Sequence, residues 1–345
     1  MQTLGTGRGI ALWFNLRAKR VNTETVDRFR QALPDATIYA TQTLEEAREA
    51  AKKLGAEKPD LLLCGGGDGT IVRMLNFLRE AGVSPFPRMG LMKLGTGNAW
   101  PLECNAPAWK AMLPKLSSMY RDAPTTRFAL IDVEDTLTHF IGAGWDAMML
   151  NDYKRNLERR STQPFASRIS RKIHTGLFGY LYTIARITVP EQAATNERYG
   201  RAQVTLENMG TECFTLDRNQ QPLALSANLK QLYTGPLAVV AVSTISQWGA
   251  GFKAPPHARL VPGFLNVRFF DDEPLNALLM APKLWAGAIG DRRMTDFFVT
   301  KGRVKFSRPQ NFQIGGDVMD ACEAIDFKMA SEYVDAIDWA QALPR

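Results

Sequence analysis

The chain is poor in the residues that build metal centres and disulfide frameworks. Among its 345 residues are four cysteines, Cys64, Cys104, Cys213 and Cys322, and three histidines, His139, His174 and His257. Neither set clusters at ligand or disulfide spacing, which argues against a metal centre and a disulfide scaffold and makes a reducing, cytoplasmic setting the expectation. No apolar run approaches the roughly 18 residues of a membrane-spanning helix. Met1 to Arg8 lacks the apolar stretch of a signal peptide and reads as a loose tail. No nucleic-acid-binding module accompanies the net charge of +7, so nucleic acid is not an expected partner; the excess admits nucleotides or anionic lipids. Two common phosphate motifs are missing as well. There is no Gly-Lys-Ser/Thr Walker loop, and no dinucleotide fingerprint, because Thr70 or Val72 stands where its third glycine belongs.

What is present centres on residues 59–70, Pro-Asp-Leu-Leu-Leu-Cys-Gly-Gly-Gly-Asp-Gly-Thr. Leu61 to Cys64 is the short, wholly apolar run of a strand buried on both faces. Ile71, Met74, Leu75 and Leu78 then recur at helical spacing, with Thr70 placed as the helix N-cap. That periodicity argues against a hairpin turn at Asp68-Gly69. Between strand and helix, Gly65, Gly66, Gly67 and Gly69 let backbone N–H groups approach a phosphate, and the helix start adds unpaired donors. Asp68 is suited to a Mg²⁺ ion that accompanies the phosphates.

Strands and helices alternate through the first third of the chain. Strands are expected at Ile10–Phe14, Ala36–Ala40 and Met89–Leu94, and helices at Thr25–Leu33 and from Thr41 through Leu54. This is the pattern of a parallel α/β sheet with ligands at the carboxyl ends of its strands. From about Arg127 short strand candidates follow one another between turn residues: Phe128–Val133, Leu137–Ala143, Ala202–Glu207, Leu237–Ser243, Phe264–Phe270 and Arg303–Phe306. They predict a second, mostly antiparallel β-domain. A helix is expected over Leu275–Ala288.

Gly66-Gly67-Asp68-Gly69-Thr70 resembles the nucleotide loop shared by diacylglycerol, sphingosine and NAD kinases and phosphofructokinases. Leu94-Gly95-Thr96-Gly97-Asn98 resembles the second signature of the diacylglycerol kinase catalytic-domain family alone. Asn15, Thr41, Gly142-Ala143-Gly144-Trp145-Asp146, Gly179-Tyr180-Leu181 and Val239–Phe269 match further features of that family. The resemblance implies a Rossmann-like parallel α/β ATP-binding domain over residues 1–127, to which residues from about 331 to 345 return, and a β-sandwich substrate domain over 128–330. It implies ATP and Mg²⁺ as cofactors, with the nucleotide held by Asn15, Thr41, Gly66, Gly67, Asp68, Gly69, Thr70, Gly95, Thr96, Gly97 and Asn98, and the metal by Asp68.

Three departures bear on the chemistry. Val72-Arg73 replaces a common Asn-Glu. Pro262 stands where bacterial relatives carry an acidic residue, which argues against a structural Mg²⁺. Gly315-Gly316-Asp317 replaces Asp-Gly-Glu, leaving Asp317 as the expected general base and Asp320 as its substitute. The expected function is ATP-dependent phosphorylation of a diacylglycerol-like or sphingoid-like lipid hydroxyl, with Asp68 and Asp317 as catalytic residues. A soluble alcohol as acceptor and a weakened nucleotide- or lipid-binding regulator are the alternatives. Asn151–Lys172 holds seven basic residues against Asp152 and Glu158. Lys154, Arg155, Arg159, Arg160, Arg168, Arg171 and Lys172 are the expected contacts to anionic lipid headgroups, on a protein peripheral to the inner face of the membrane.

Overall fold

A computed structural model describes residues 3–161, 179, 182–249, 251–272, 282–283, 286–287 and 293–343. The chain forms two compact units. One comprises Met1–His139, Thr244–Lys253 and Ala330–Arg345; the other comprises Phe140–Ser243 and Ala254–Met329.

The first unit is built on parallel strands β1 (Ile10–Asn15), β2 (Thr37–Thr41), β3 (Leu61–Gly66) and β4 (Arg88–Lys93), in the order β2-β1-β3-β4. Leu61 to Cys64 is fully buried, as a strand covered on both faces requires. The helices between them are α1 (Thr23–Ala32), α2 (Leu44–Glu57) and α3 (Asp68–Glu80). Local capping sets their starts. The Asn22 side chain accepts from Thr25 N, and Thr43 with Glu46 forms a capping box, so α2 begins three residues after Thr41. Short helices α4 (Ala99–Glu103) and α5 (Trp109–Met112) follow β4, and then strands β5 (Thr125–Val133) and β6 (Thr136–Thr138). The expected tail is ordered instead: Leu4 is buried and its N–H donates to Met119 O at 2.8 Å, because an apolar side chain gains by joining the core. The last strand returns to this unit, with Ala336 beside Met89, and the buried Trp339 donates its indole N–H to Leu91 O at 2.8 Å.

The second unit is a mostly antiparallel β structure with two helices of more than ten residues among the described residues. Its elements are β7 (Phe140–Gly144), α6 (Trp145–Ser161), α7 (Val189–Tyr199), β8 (Gln203–Asn208), β9 (Cys213–Leu216), β10 (Pro222–Ala224), β11 (Gln231–Pro236), β12 (Val239–Ser243), β13 (Leu265–Phe270), β14 (Met294–Val299), β15 (Lys301–Ile314) and β16 (Asp317–Ile337), whose last residues serve the first unit. The order is β10-β9-β14-β13-β12-β7-β15-β16, with β8 bridging β15 and β11. Two sequence expectations change here. The strand expected over 137–143 is broken at His139 into β6 and β7, and the one expected over 303–306 is a fragment of the 14-residue β15. A buried ion pair crosses β13 and β14: Arg268 Nε and a terminal nitrogen donate to Asp296 at 3.0 and 2.8 Å, Asn266 donates to the same carboxylate at 2.9 Å, and Arg268 also reaches Ala254 O at 2.7 Å. Most of the helix expected over 275–288 lies outside the described residues, as do Tyr180 and Leu181. Among the described residues no helix is long and apolar enough to cross a membrane.

Candidate functional site

The glycine-rich end of β3 and the turn after β4 lie side by side at the carboxyl edge of the parallel strands, in register from Leu61 opposite Arg88 to Gly66 opposite Lys93. Their backbones touch. A Cβ on Gly95 would sit 2.9 Å from Gly67 N, and one on Gly67 would sit 3.3 Å from Gly95 Cα, so neither position takes a side chain without displacing the other loop. Helix α3 starts at Asp68 with Gly67 as N-cap, and no side chain caps it. Thr70 is therefore not the cap but a first-turn residue, since the chain becomes helical as soon as the glycines end. Its hydroxyl accepts from Asn15 Nδ2 at 2.9 Å, which braces the end of β1 against the new helix. Thr70 N donates to Gly67 O at 2.9 Å, so the first-turn N–H groups left for an anion are those of Asp68 and Gly69, next to a wall made of backbone. This suits a nucleotide phosphate.

Asp68 has an internal task. Its Oδ2 accepts from Ala99 N and its Oδ1 from Trp100 N, both at 3.0 Å. Helix α4 has Asn98 at its N-cap with no side-chain cap bond, so Asp68 supplies the cap from 31 residues away. Asn98, buried and left-handed at φ 52°, closes the turn on itself: its Oδ1 accepts from Gly95 N at 2.8 Å and its Nδ2 donates to Gly95 O at 3.0 Å. Thr96 is exposed at the tip and Gly97 half-buried beside Asp68. Gly66 ends β3, and Gly69 lies in the first turn of α3. Thr41 is buried; its hydroxyl accepts from Trp13 Nε1 at 3.1 Å and donates to Phe14 O at 3.3 Å, which ties β1 to β2 rather than facing outward. Among the described residues no three His, Cys, Asp or Glu side chains gather to hold a metal ion. With both Asp68 oxygens engaged, the residues present fit a phosphate better than a protein-held Mg²⁺.

His139 is the residue of this unit that sequence reasoning passed over. It is buried, its ring lies 4.9 Å from that of Trp100, and its Nδ1 has no hydrogen-bond partner. Burial pulls its pKa down to about 4, against the opposing pull of the Asp68 charge. The ring stays neutral at physiological pH.

In the second unit the expected base, Asp317, opens β16 directly after the two-residue Gly315-Gly316 turn, with Ile314 opposite Asp317 in register. Its carboxylate is half-exposed and 3.7 Å from Lys154 Nζ, which also donates to Gly316 O at 3.0 Å. Both glycines have positive φ, 56° and 96°, the signature of a tight hairpin. Asp320 is exposed along β16. A second carboxylate near this hairpin was given no role from the sequence. Asp146, in the first turn of α6, is buried and receives a short hydrogen bond from Gln313 Nε2; burial pushes its pKa up to about 7, only partly offset by that bond. The signal for it was its place at the end of Gly142-Ala143-Gly144-Trp145-Asp146. Of the basic stretch, Lys154, Arg155 and Arg159 lie on α6, whereas the Arg160 side chain and Arg168, Arg171 and Lys172 fall outside the described residues.

The two apposed loops and the bracing Asn15 all fall within residues 15–126, which match the model of the diacylglycerol kinase catalytic domain. A diacylglycerol kinase of Bacillus subtilis (strain 168) is 33% identical over 75 residues, 22% of this chain and 24% of that protein, so the alignment spans about a quarter of the relative. Two solved structures of Bacillus anthracis str. Sterne proteins described as diacylglycerol kinases superpose with TM-scores of 0.62 and 0.61 at 14% identity. They cover 95% and 97% of this chain and 96% and 98% of their own. At that identity they establish the fold, which extends beyond the family-matched stretch to both units. Every nucleotide-loop residue named above lies inside the matched stretch, whereas Asp146 and Asp317 lie outside it.

Proposed function

We propose that the protein is an ATP-dependent kinase that phosphorylates a hydroxyl of a diacylglycerol-like or sphingoid-like lipid. The observation that carries this reading is the backbone contact of Gly67 with Gly95 beside the uncapped start of α3, within the family-matched stretch. Backbone donors there bind and orient the phosphates, and Asp68 keeps the second loop in place. A Mg²⁺ ion carried by the nucleotide would supply charge neutralisation at its phosphates. Asp317 accepts the proton of the acceptor hydroxyl while that oxygen bonds to the γ-phosphorus and ADP departs. Gly315, at φ 56°, suits the tight hairpin that presents Asp317, so glycine there is compatible with a working site. The setting that follows is cytoplasmic and peripheral to a membrane, with Lys154, Arg155 and Arg159 on the described part of the basic segment. Phosphate transfer from labelled ATP to vesicle-borne diacylglycerol, sphingosine and a soluble glycerol analogue tests the reading. Transfer to the lipids supports it, transfer to the soluble alcohol alone reassigns the acceptor, and ATP binding without any transfer refutes it.

A further inference from the structure

A cleft of about 580 Å³ in the first unit belongs to none of the loops described above. Lys19 and Arg20 line it from the segment after β1, Arg28 from α1, Lys93 from the end of β4, and Trp109 and Lys110 from α5. Its volume lies within the roughly 300–1,000 Å³ of small-molecule sites. Strands β2-β1-β3-β4 are visited so that α1 leads one way across the sheet and α2 and α3 the other; right-handed crossovers therefore put α1 on the face opposite α3. The cleft lies on the α1 face, while the glycine loop feeds α3. Both open at the carboxyl edge of the strands, since Lys93 is the register partner of Gly66.

The charge of this concavity is one-sided. Glu24 is the acidic residue in the lining, and it is taken by Arg28 at 2.7 Å in an exposed pair one helical turn apart. Lys19, Arg20, Lys93 and Lys110 have no ion pair among the described residues. Four cations facing one hollow repel one another, and a hollow with low-dielectric walls concentrates their field. Lys93 is half-buried, so its ammonium has given up water without gaining a carboxylate; that burial lowers its pKa. The half-buried Trp109 ring, under Lys110 Nζ at 5.7 Å, adds an apolar wall. A single carboxylate would leave most of this charge unbalanced, whereas a phosphomonoester or diphosphate brings two or more negative charges and several acceptor oxygens to share among four cations.

We propose that this cleft is a second anion site, separate from the nucleotide loops, which takes a phosphomonoester or diphosphate group between Lys93 at its floor and Lys19, Arg20 and Lys110 at its rim. The group is either that of a soluble phosphorylated compound or the headgroup of an anionic phospholipid. The proposal does not depend on the kinase reading, because its measurement is binding in the absence of an acceptor substrate.

The test uses the full chain, a Lys93→Gln/Lys110→Gln variant and a Lys19→Gln/Arg20→Gln variant. None of these substitutions breaks an ion pair, so two independent pairs guard against a folding defect in either. Calorimetric titration with inorganic pyrophosphate should show binding by the wild type that weakens about tenfold or more in each variant, as expected for losing charge-assisted hydrogen bonds. Sedimentation with phosphatidylcholine vesicles, with and without phosphatidic acid, identifies the source. Variant-sensitive retention on phosphatidic acid assigns a lipid headgroup, and variant-sensitive binding of pyrophosphate without vesicle retention assigns a soluble ligand. A wild type that binds neither probe overturns the proposal. So does pyrophosphate binding that is unchanged in both variants, which would place the anion at the glycine loops.

Discussion

Replacing Asp68 by Asn separates a structural carboxylate from a metal ligand. In the structure the two Asp68 oxygens satisfy the N–H groups of Ala99 and Trp100, the otherwise uncapped first donors of α4. Asparagine keeps one acceptor, loses the charge, and turns an NH₂ toward a donor. A hydrogen bond to a charged group contributes about 1.5–3 kcal/mol net, and an unsatisfied buried donor costs a comparable amount. With one bond lost and the other weakened, Asp68→Asn should destabilise the protein by about 2–4 kcal/mol, a fall in melting temperature of roughly 5–10 °C. Asp68→Ala should lose at least as much, because both acceptors are removed. The assay is thermal unfolding followed by circular dichroism in EDTA, without nucleotide. A carboxylate that served only Mg²⁺ would leave that melting curve unchanged. A melting temperature for Asp68→Asn within about 1 °C of wild type in EDTA would refute the pinning role.

Other outcomes follow from the same geometry. The folded Asp146 carboxyl, pushed up to about 7, keeps its proton where the unfolded chain, at 3.8, has lost it; the resulting stability is full below the unfolded value and is lost as pH rises toward 7. Asp146→Asn should flatten that loss, and urea midpoints at about pH 5 and about pH 8 that shift equally in both proteins would count against it. Burial holds His139 neutral with a pKa of about 4, so its contribution is lost instead as pH falls from 6.5 toward 4, and His139→Gln should reduce acid sensitivity in the same titration. Gly315→Val should destabilise by about 1–2 kcal/mol because φ is 56°, and Gly315→Asp by less because aspartate tolerates the left-handed region; equal melting temperatures for the two would dispute the turn assignment. Asp317→Asn should lower turnover by roughly 10²–10⁴ with ATP affinity kept, and a variant with wild-type turnover would remove Asp317 from the proton transfer.

Much of the first unit was legible locally. The apolar run Leu61–Cys64, the glycines after it and the 3.6-residue spacing of Ile71, Met74, Leu75 and Leu78 depend on near neighbours, so strand, loop and helix could be read from a dozen residues. The antiparallel character of the later strands came from the same kind of signal, turn residues between short β-branched and aromatic runs. Boundaries slipped where a cap decided them: Asn22 and Thr43 start their helices through bonds to N–H groups three residues on, and Gly67 displaced Thr70 as the cap of α3. The site residues were recognisable as loops, but their tasks were not. Asp68 caps a helix 31 residues away, Thr41 is bound by Trp13 across two strands, and Asp146 meets Gln313 across 167 residues. Such pairings are set by the register of strands and the path of the chain, which leave no periodic trace in either segment. Composition and spacing determined which elements exist and where glycine had to stand; only the tertiary structure decided which carboxylates are spent on holding the fold, because those bonds join residues far apart in the chain.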